Sequence, residues 1–188
     1  ATADLADLIR RDVLRDVQGI DEVAHGAIVR ALPAICQLMH RIPLGRATEV
    51  AEHILDVVGR HPTVSWAEAA GSMRRGLETV GDIEIVVSTT APDEVMATVL
   101  GEAHVTRCLH RSAGRVYVIS DGLQVGVRCP DMSAAGATLL LMTGSHAHLD
   151  YLHARAARRS WRLTPEGLDR GSGDSVIGGS EEAIYHAL

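Results

Sequence analysis

Apolar residues recur at helical spacing through two early segments. Leu5, Leu8, Ile9, Val13 and Val17 mark residues 4–18, and Val23, Ile28, Leu32 and Ile35 mark residues 21–39; each set keeps one helix face apolar. Arg41-Ile42-Pro43-Leu44-Gly45 breaks the pattern, because proline removes a backbone donor and glycine weakens a helix interior. A further amphipathic helix is predicted through Val50, Ile54, Leu55, Val57 and Val58, up to Gly59. The chain therefore divides near Arg41.

Beyond His61 the apolar period shortens, and glycine separates β-rich segments predicted at 64–70, 82–88, 115–120 and 123–129. Residues 92–100 open with Ala-Pro-Asp-Glu and read as a helix, since proline and acidic side chains suit a helix N-terminus. Past Pro130, helices are predicted at 133–141 and 145–159. The tail, with Gly171, Gly173, Gly178 and Gly179, reads as loops or a small hairpin before a last helix from Glu181. The pattern predicts an α/β (α+β) fold in three parts: a helical N-terminal arm at 1–40, a mixed-sheet domain at 41–130 and a C-terminal subdomain at 131–188.

The 188 residues are 46% apolar, enough for a core. The apolar stretch from Ala137 to Met142 is far too short to cross a bilayer, and the first residues show no signal-peptide pattern. A cytoplasmic protein with no membrane partner is expected. Cys36, Cys108 and Cys129 are odd in number and far apart, which predicts reduced thiols rather than a zinc cage or a disulfide framework. Arginine supplies all 18 basic residues. Without lysine, Schiff-base catalysis by a side-chain amine is excluded. A net charge of −6 argues against strong nonspecific binding to nucleic acid, so any DNA binding is expected to be weak. The cluster Arg155, Arg158, Arg159 and Arg162 is a local basic patch or simply a solvated helix face.

Candidate chemistry concentrates between Gly71 and Val87. A Gly71-Ser72 turn brings backbone N–H groups and a hydroxyl towards a phosphate, and Arg74 and Arg75 nearby offer charge-assisted contacts. After Gly81, a strand period of two places Asp82 and Glu84 on one face while Ile83 and Ile85 face the core. Adjacent carboxylates repel unless a cation lies between them, and Mg²⁺ shared with substrate phosphates is the common solution. The alternative is a solvated strand face.

In these residues the chain resembles the family X DNA polymerases, the nucleotidyltransferases that include DNA polymerase beta and the bacterial X-type enzymes. The likeness rests on the Gly-Ser turn, two arginines and the Gly81-Asp82-Ile83-Glu84 run. It extends to Arg41-Ile42-Pro43-Leu44-Gly45 as the opening of a palm, Asp121-Gly122-Leu123-Gln124-Val125 as the third catalytic strand, and Thr143-Gly144-Ser145-His146-Ala147-His148 as a Thr-Gly-Ser turn. The resemblance implies a palm with Arg41, Gly71, Ser72, Arg75 and Gly81 facing a triphosphate and Asp82 and Glu84 holding Mg²⁺. Arg74 has no assigned role, and His148 matches a histidine of the bacterial members that is expected to be structural.

The same resemblance exposes departures. The third family carboxylate falls on Gly126, on the face shared by Gln124 and Arg128, and the second is Glu84 in place of aspartate. Phosphoryl transfer depends on metal positioning, so its rate should fall by orders of magnitude. Leu141 and Met142 replace the sugar-sensing aromatic pair, and Leu149 and His153 stand where the family contacts template. The helix-hairpin-helix signatures and lyase lysine of repair members are missing. His146, Asp150 and His153 share one helical face and either line a rebuilt pocket beside Gly144 and Ser145, where they could bind Zn²⁺ or act in acid–base catalysis with His153 as a candidate catalytic residue, or lie in solvent. Three functions follow as alternatives. They are a divergent family member binding a nucleotide or phosphorylated ligand with Mg²⁺ but transferring poorly, a repurposed small-molecule enzyme, and a non-catalytic nucleic-acid or protein-binding module.

Overall fold

The computed structural model describes residues 21–38, 41–171 and 176–188. The helix predicted at 4–18, Cys36's side chain and Gly173 lie outside the described residues. The chain divides into two compact units, Ala1–Arg41 and Ile42–Leu188. In the first, α1 (Glu22–Leu38) follows Asp21, whose carboxylate accepts a 2.7 Å hydrogen bond from the Ala24 N–H. An aspartate at that position satisfies an N–H the helix itself leaves unpaired.

The second unit opens with β1 (Ile42–Pro43), which pairs with β3 (Thr79–Val80). Helix α2 (Leu44–Gly59) buries Ala47, Val50, Ala51, Ile54 and Val58 along one face, the stripe its sequence predicts. A five-stranded mixed sheet follows, with β2 (Val64–Ala69), β4 (Ile83–Thr89), β5 (Val105–Ser112), β6 (Arg115–Ser120) and β7 (Leu123–Arg128) in the order β2-β4-β7-β6-β5. β4 and β7 run parallel, and the other neighbours are antiparallel. Every residue of β4 is buried, as expected for a central strand covered on both faces.

Alternation along β4 divides the interior. Ile83, Ile85 and Val87 join α2 and α4 (Pro92–Leu100) in the main core, whereas Val86 packs with Ala70 and Leu139 on the opposite face. Glu84 shares Val86's parity and so opens onto that second face. A 3₁₀ turn (Met132–Ala134) leads to α5 (Ala135–Thr143), and α6 (His146–Ala157), the hairpin β8 (Arg162–Thr164) and β9 (Gly167–Asp169), and α7 (Glu181–Ala187) complete the chain. Leu140, Leu152, Leu168 and Ile184 form the apolar centre of this C-terminal part.

The sequence reading omits β5, β1 and β3, and places the tail hairpin later than β8–β9. β5 has only its first residue half-buried and the rest exposed, so it carries no apolar alternation. Its ladder to β6 is irregular at two points, between Val105 and Arg107 and between Cys108 and His110.

Candidate functional site

The Gly-Ser turn sits where β2 meets β4. Ala70 donates its N–H to the Glu84 carbonyl at 2.8 Å, which pins the turn beside the carboxylate strand. Gly71 takes φ +64, a left-handed conformation that costs glycine little and other residues more. The short helix α3 (Gly71–Arg74) follows, with Ser72 half-buried and Arg75 exposed. Arg75 donates to the Thr143 carbonyl, and a Cβ on Gly144 would stand 3.4 Å from its Nη1. The two turns named in the sequence are therefore neighbours. The Gly144–Ser145 peptide is cis.

Arg74, which the sequence leaves without a role, ties this turn to the C-terminal helix. Its two terminal nitrogens donate to the two oxygens of Glu181, each at 2.7 Å, and Nη1 also reaches Thr143 Oγ1 at 3.2 Å. Glu68 adds a 3.1 Å contact. The Glu181 carboxylate raises the Arg74 pKa above its ordinary value.

Glu84 and Gly126 lie directly opposite one another in the parallel β4–β7 ladder, and Tyr117 lies opposite Gly126 from the other side. Three neighbouring strands thus present Glu84, Gly126 and Tyr117 in one row. A Cβ on Gly126 would come within 2.5 Å of Tyr117 Cε1 and 2.6 Å of Glu84 Oε2, distances no packed carbon tolerates. The longer arm of Glu84 therefore fills the space that a side chain at position 126 would need. Glu84 and position 126 thus compete for one space.

The Glu84 carboxyl is only partly compensated from within the protein, since its Oε2 and Arg128 Nε are both buried without a hydrogen bond of good geometry. Arg128 Nε lies 3.5 Å from Glu84 Oε2, and Arg128 Nη2 donates to the Tyr117 hydroxyl at 3.1 Å. Burial pushes the Glu84 carboxyl above the usual carboxylate range, with Asp82 adding to the rise and Arg128 and Tyr117 opposing it. Burial next to Glu84 likewise raises the Tyr117 hydroxyl. Asp82 and Gly81 are half-buried just before β4. A two-Mg²⁺ site needs several carboxylate oxygens turned to an open cleft. With Glu84 only 7% exposed and its Oε2 facing Arg128 Nε at 3.5 Å, these residues fit such a cage poorly.

The remaining sequence-predicted residues are dispersed. Leu141 and Leu149 pack on the C-terminal apolar centre, and Met142 packs with Ala70, Val86 and Leu139. Ser145, His146, Asp150 and His153 are exposed on α6 and its N-terminal turn. His148 Nε2 is 2.8 Å from the Tyr185 hydroxyl, a link between α6 and α7. Arg41 belongs to the first unit. Of the basic patch, Arg155 and Arg159 donate to the Leu188 carbonyl, and Arg162 pairs with Asp169 at 3.1 Å.

Arg128 and Tyr117 are the residues that sequence reasoning missed. The signal for Arg128 was present, since alternation already placed it on the face of Gly126. Tyr117 depends on the β6–β7 register, which no local pattern reveals.

Residues 138–188 match the family model described as DNA polymerase beta thumb. The chain is also 24% identical, over 168 residues, to a Bacillus subtilis protein named DNA polymerase/3'-5' exonuclease PolX. That alignment covers 88% of this chain and 30% of the relative, so the chain spans about a third of that protein's length.

Proposed function

Starting from a chain that is a divergent family X polymerase-like protein, we propose that it holds a nucleoside triphosphate or another polyphosphate at Gly71, Ser72 and Arg75, with template-directed DNA synthesis weak or absent. The observation that carries the second half is the occupation of the Gly126 position by Glu84, itself paired with Arg128. Nucleotidyl transfer needs cations fixed opposite the phosphates and a base near the attacking hydroxyl. Arg128 already supplies a positive charge beside Glu84.

The first half is supported by what the fold keeps. The Gly71 turn, the half-buried Ser72 and the exposed Arg75 lie together beside Gly144, and an arginine fork suits phosphate oxygens. Mg²⁺ would arrive with the polyphosphate, whose own oxygens supply most of its ligands. Asp82 is the protein carboxylate that flanks this turn from the strand side.

Calorimetry with a nucleoside triphosphate, with and without MgCl₂, tests the binding, and extension of a gapped primer–template tests the transfer. Binding that Arg75→Ala weakens about 10- to 100-fold is expected from loss of a charged hydrogen bond, together with no extension. Absence of binding by any nucleotide or polyphosphate overturns the ligand. Robust template-directed extension overturns the loss of transfer.

A further inference from the structure

On the other side of the sheet, a second group of side chains converges. His53 comes from α2, Glu102 and His104 from the turn between α4 and β5, and one ligand atom from each lies within 4.8 Å of the others. We propose that His53, Glu102 and His104 form a Zn²⁺ site, independent of the phosphate turn, that staples α2 to the α4–β5 turn.

The donor set is that of a zinc centre. Two imidazoles and one carboxylate suit a borderline divalent ion, and such three-residue sets leave a fourth position for water. Tetrahedral Zn²⁺ with bonds of about 2.0–2.1 Å sets its ligand atoms about 3.3 Å apart. His53 Nε2 and Glu102 Oε1 are already 3.2 Å apart, and the two imidazole centroids are 4.4 Å apart. Only small side-chain rotations separate this arrangement from a ligating one.

Two further observations point to an ion rather than to chance proximity. His53 Nε2 is sealed from solvent yet makes no hydrogen bond of good geometry. Its neighbour is Glu102 Oε1 in poor hydrogen-bond geometry, a pairing that an ion shared between the two atoms would satisfy better. His104 Nδ1, meanwhile, lies 3.0 Å from Asp121 Oδ1. A carboxylate on Nδ1 favours the tautomer in which Nε2 carries the lone pair, and Nε2 is the atom the proposed site would use, with Asp121 as its outer-shell support.

The backbone holds these groups in place. Asp121 donates its N–H to the His104 carbonyl at 3.2 Å, and Val105 donates to the Glu102 carbonyl at 3.0 Å. Glu102 Oε1 also accepts the Ala103 N–H at 2.9 Å. Arg46, on the same helix as His53, donates to the Asp121 carbonyl at 3.3 Å. His53 lies on α2, which packs on Ile83 and Ile85, whereas Glu84 opens on the opposite face. The proposed site therefore lies on the opposite face of the sheet from Glu84.

The test uses the full chain stripped with EDTA, then titrated with Co²⁺ as a spectroscopic stand-in and with Zn²⁺ in competition. One equivalent should give the visible absorption of four-coordinate Co²⁺, and Zn²⁺ should displace it and raise Tm. His53→Ala, Glu102→Gln and His104→Ala should each abolish the band, and Asp121→Asn should weaken affinity about 10- to 100-fold. His186→Ala, on the exposed end of α7, should leave it unchanged. Circular dichroism confirms that each variant is folded. No band in the folded wild type, a band that survives His104→Ala, or equal loss on His186→Ala overturns the site.

Discussion

The Glu84 carboxylate lies over Gly126, its Oε2 2.6 Å from where a Cβ would stand. Two positions on adjacent strands thus share one volume, and neither can be changed alone without cost.

Gly126→Asp should consequently destabilise the fold by about 1–3 kcal/mol, the usual cost of overpacking a filled interior. Glu84→Asp shortens the competing arm and should recover part of that loss, although Tyr117 Cε1 remains 2.5 Å from the same point. Urea denaturation of the two single variants and the double variant measures this. Strict additivity would mean that the two residues do not compete for space.

Glu84 should also leave a mark on the pH dependence of stability. Its folded pKa is raised above the ordinary 4.5, chiefly by burial, so the folded state holds its proton more tightly than the unfolded chain. The corresponding stability is full below about pH 4.5 and is lost as pH rises through the folded value. Glu84→Gln should flatten this slope in a denaturation series across mildly acidic pH. An unchanged slope would place the titration elsewhere.

Removing the cation should be more damaging than removing the acid. Arg128→Met leaves a carboxyl only 7% exposed without its counter-charge, at a cost of about 1–3 kcal/mol, limited because the already raised carboxyl can take up a proton. Combining Arg128→Met with Glu84→Gln should restore much of the loss. Thermal unfolding of the four proteins completes the cycle, and a double variant no better than Arg128→Met would refute the pairing.

The cysteines should differ sharply towards alkylation. Burial pushes the Cys129 thiol up to about 11, whereas Cys108 is exposed. Thiolate is the reactive form, so peptide mapping after iodoacetamide at neutral pH should find Cys108 modified and Cys129 intact. Comparable modification of both in the folded protein would contradict the burial of Cys129 just after β7.

Much of the fold was legible because burial writes a period into the chain. Val50, Ile54 and Val58 announce α2, and Ile83 and Ile85 announce β4 with Glu84 on the other face. The pairing of Glu84 with Gly126 was half legible. Both residues stood out as departures from the family pattern, but that they occupy one space follows only from the β4–β7 register. Arg74 was opaque for a related reason, since its partner Glu181 lies 107 residues away. His53 and His104 are separated in the same manner, and nothing local distinguishes a histidine that meets another from one in solvent.

β5 closes the described sheet on one side. A straight terminal strand offers its free amides and carbonyls to any similar strand and invites stacking between molecules. This one has two breaks in its ladder and carries the exposed residues Arg107, His110 and Arg111. Kinks spoil the spacing that a foreign strand would match, and like charges would face each other if a second copy approached edge to edge. The least patterned of the described strands is therefore one that guards an edge of the sheet.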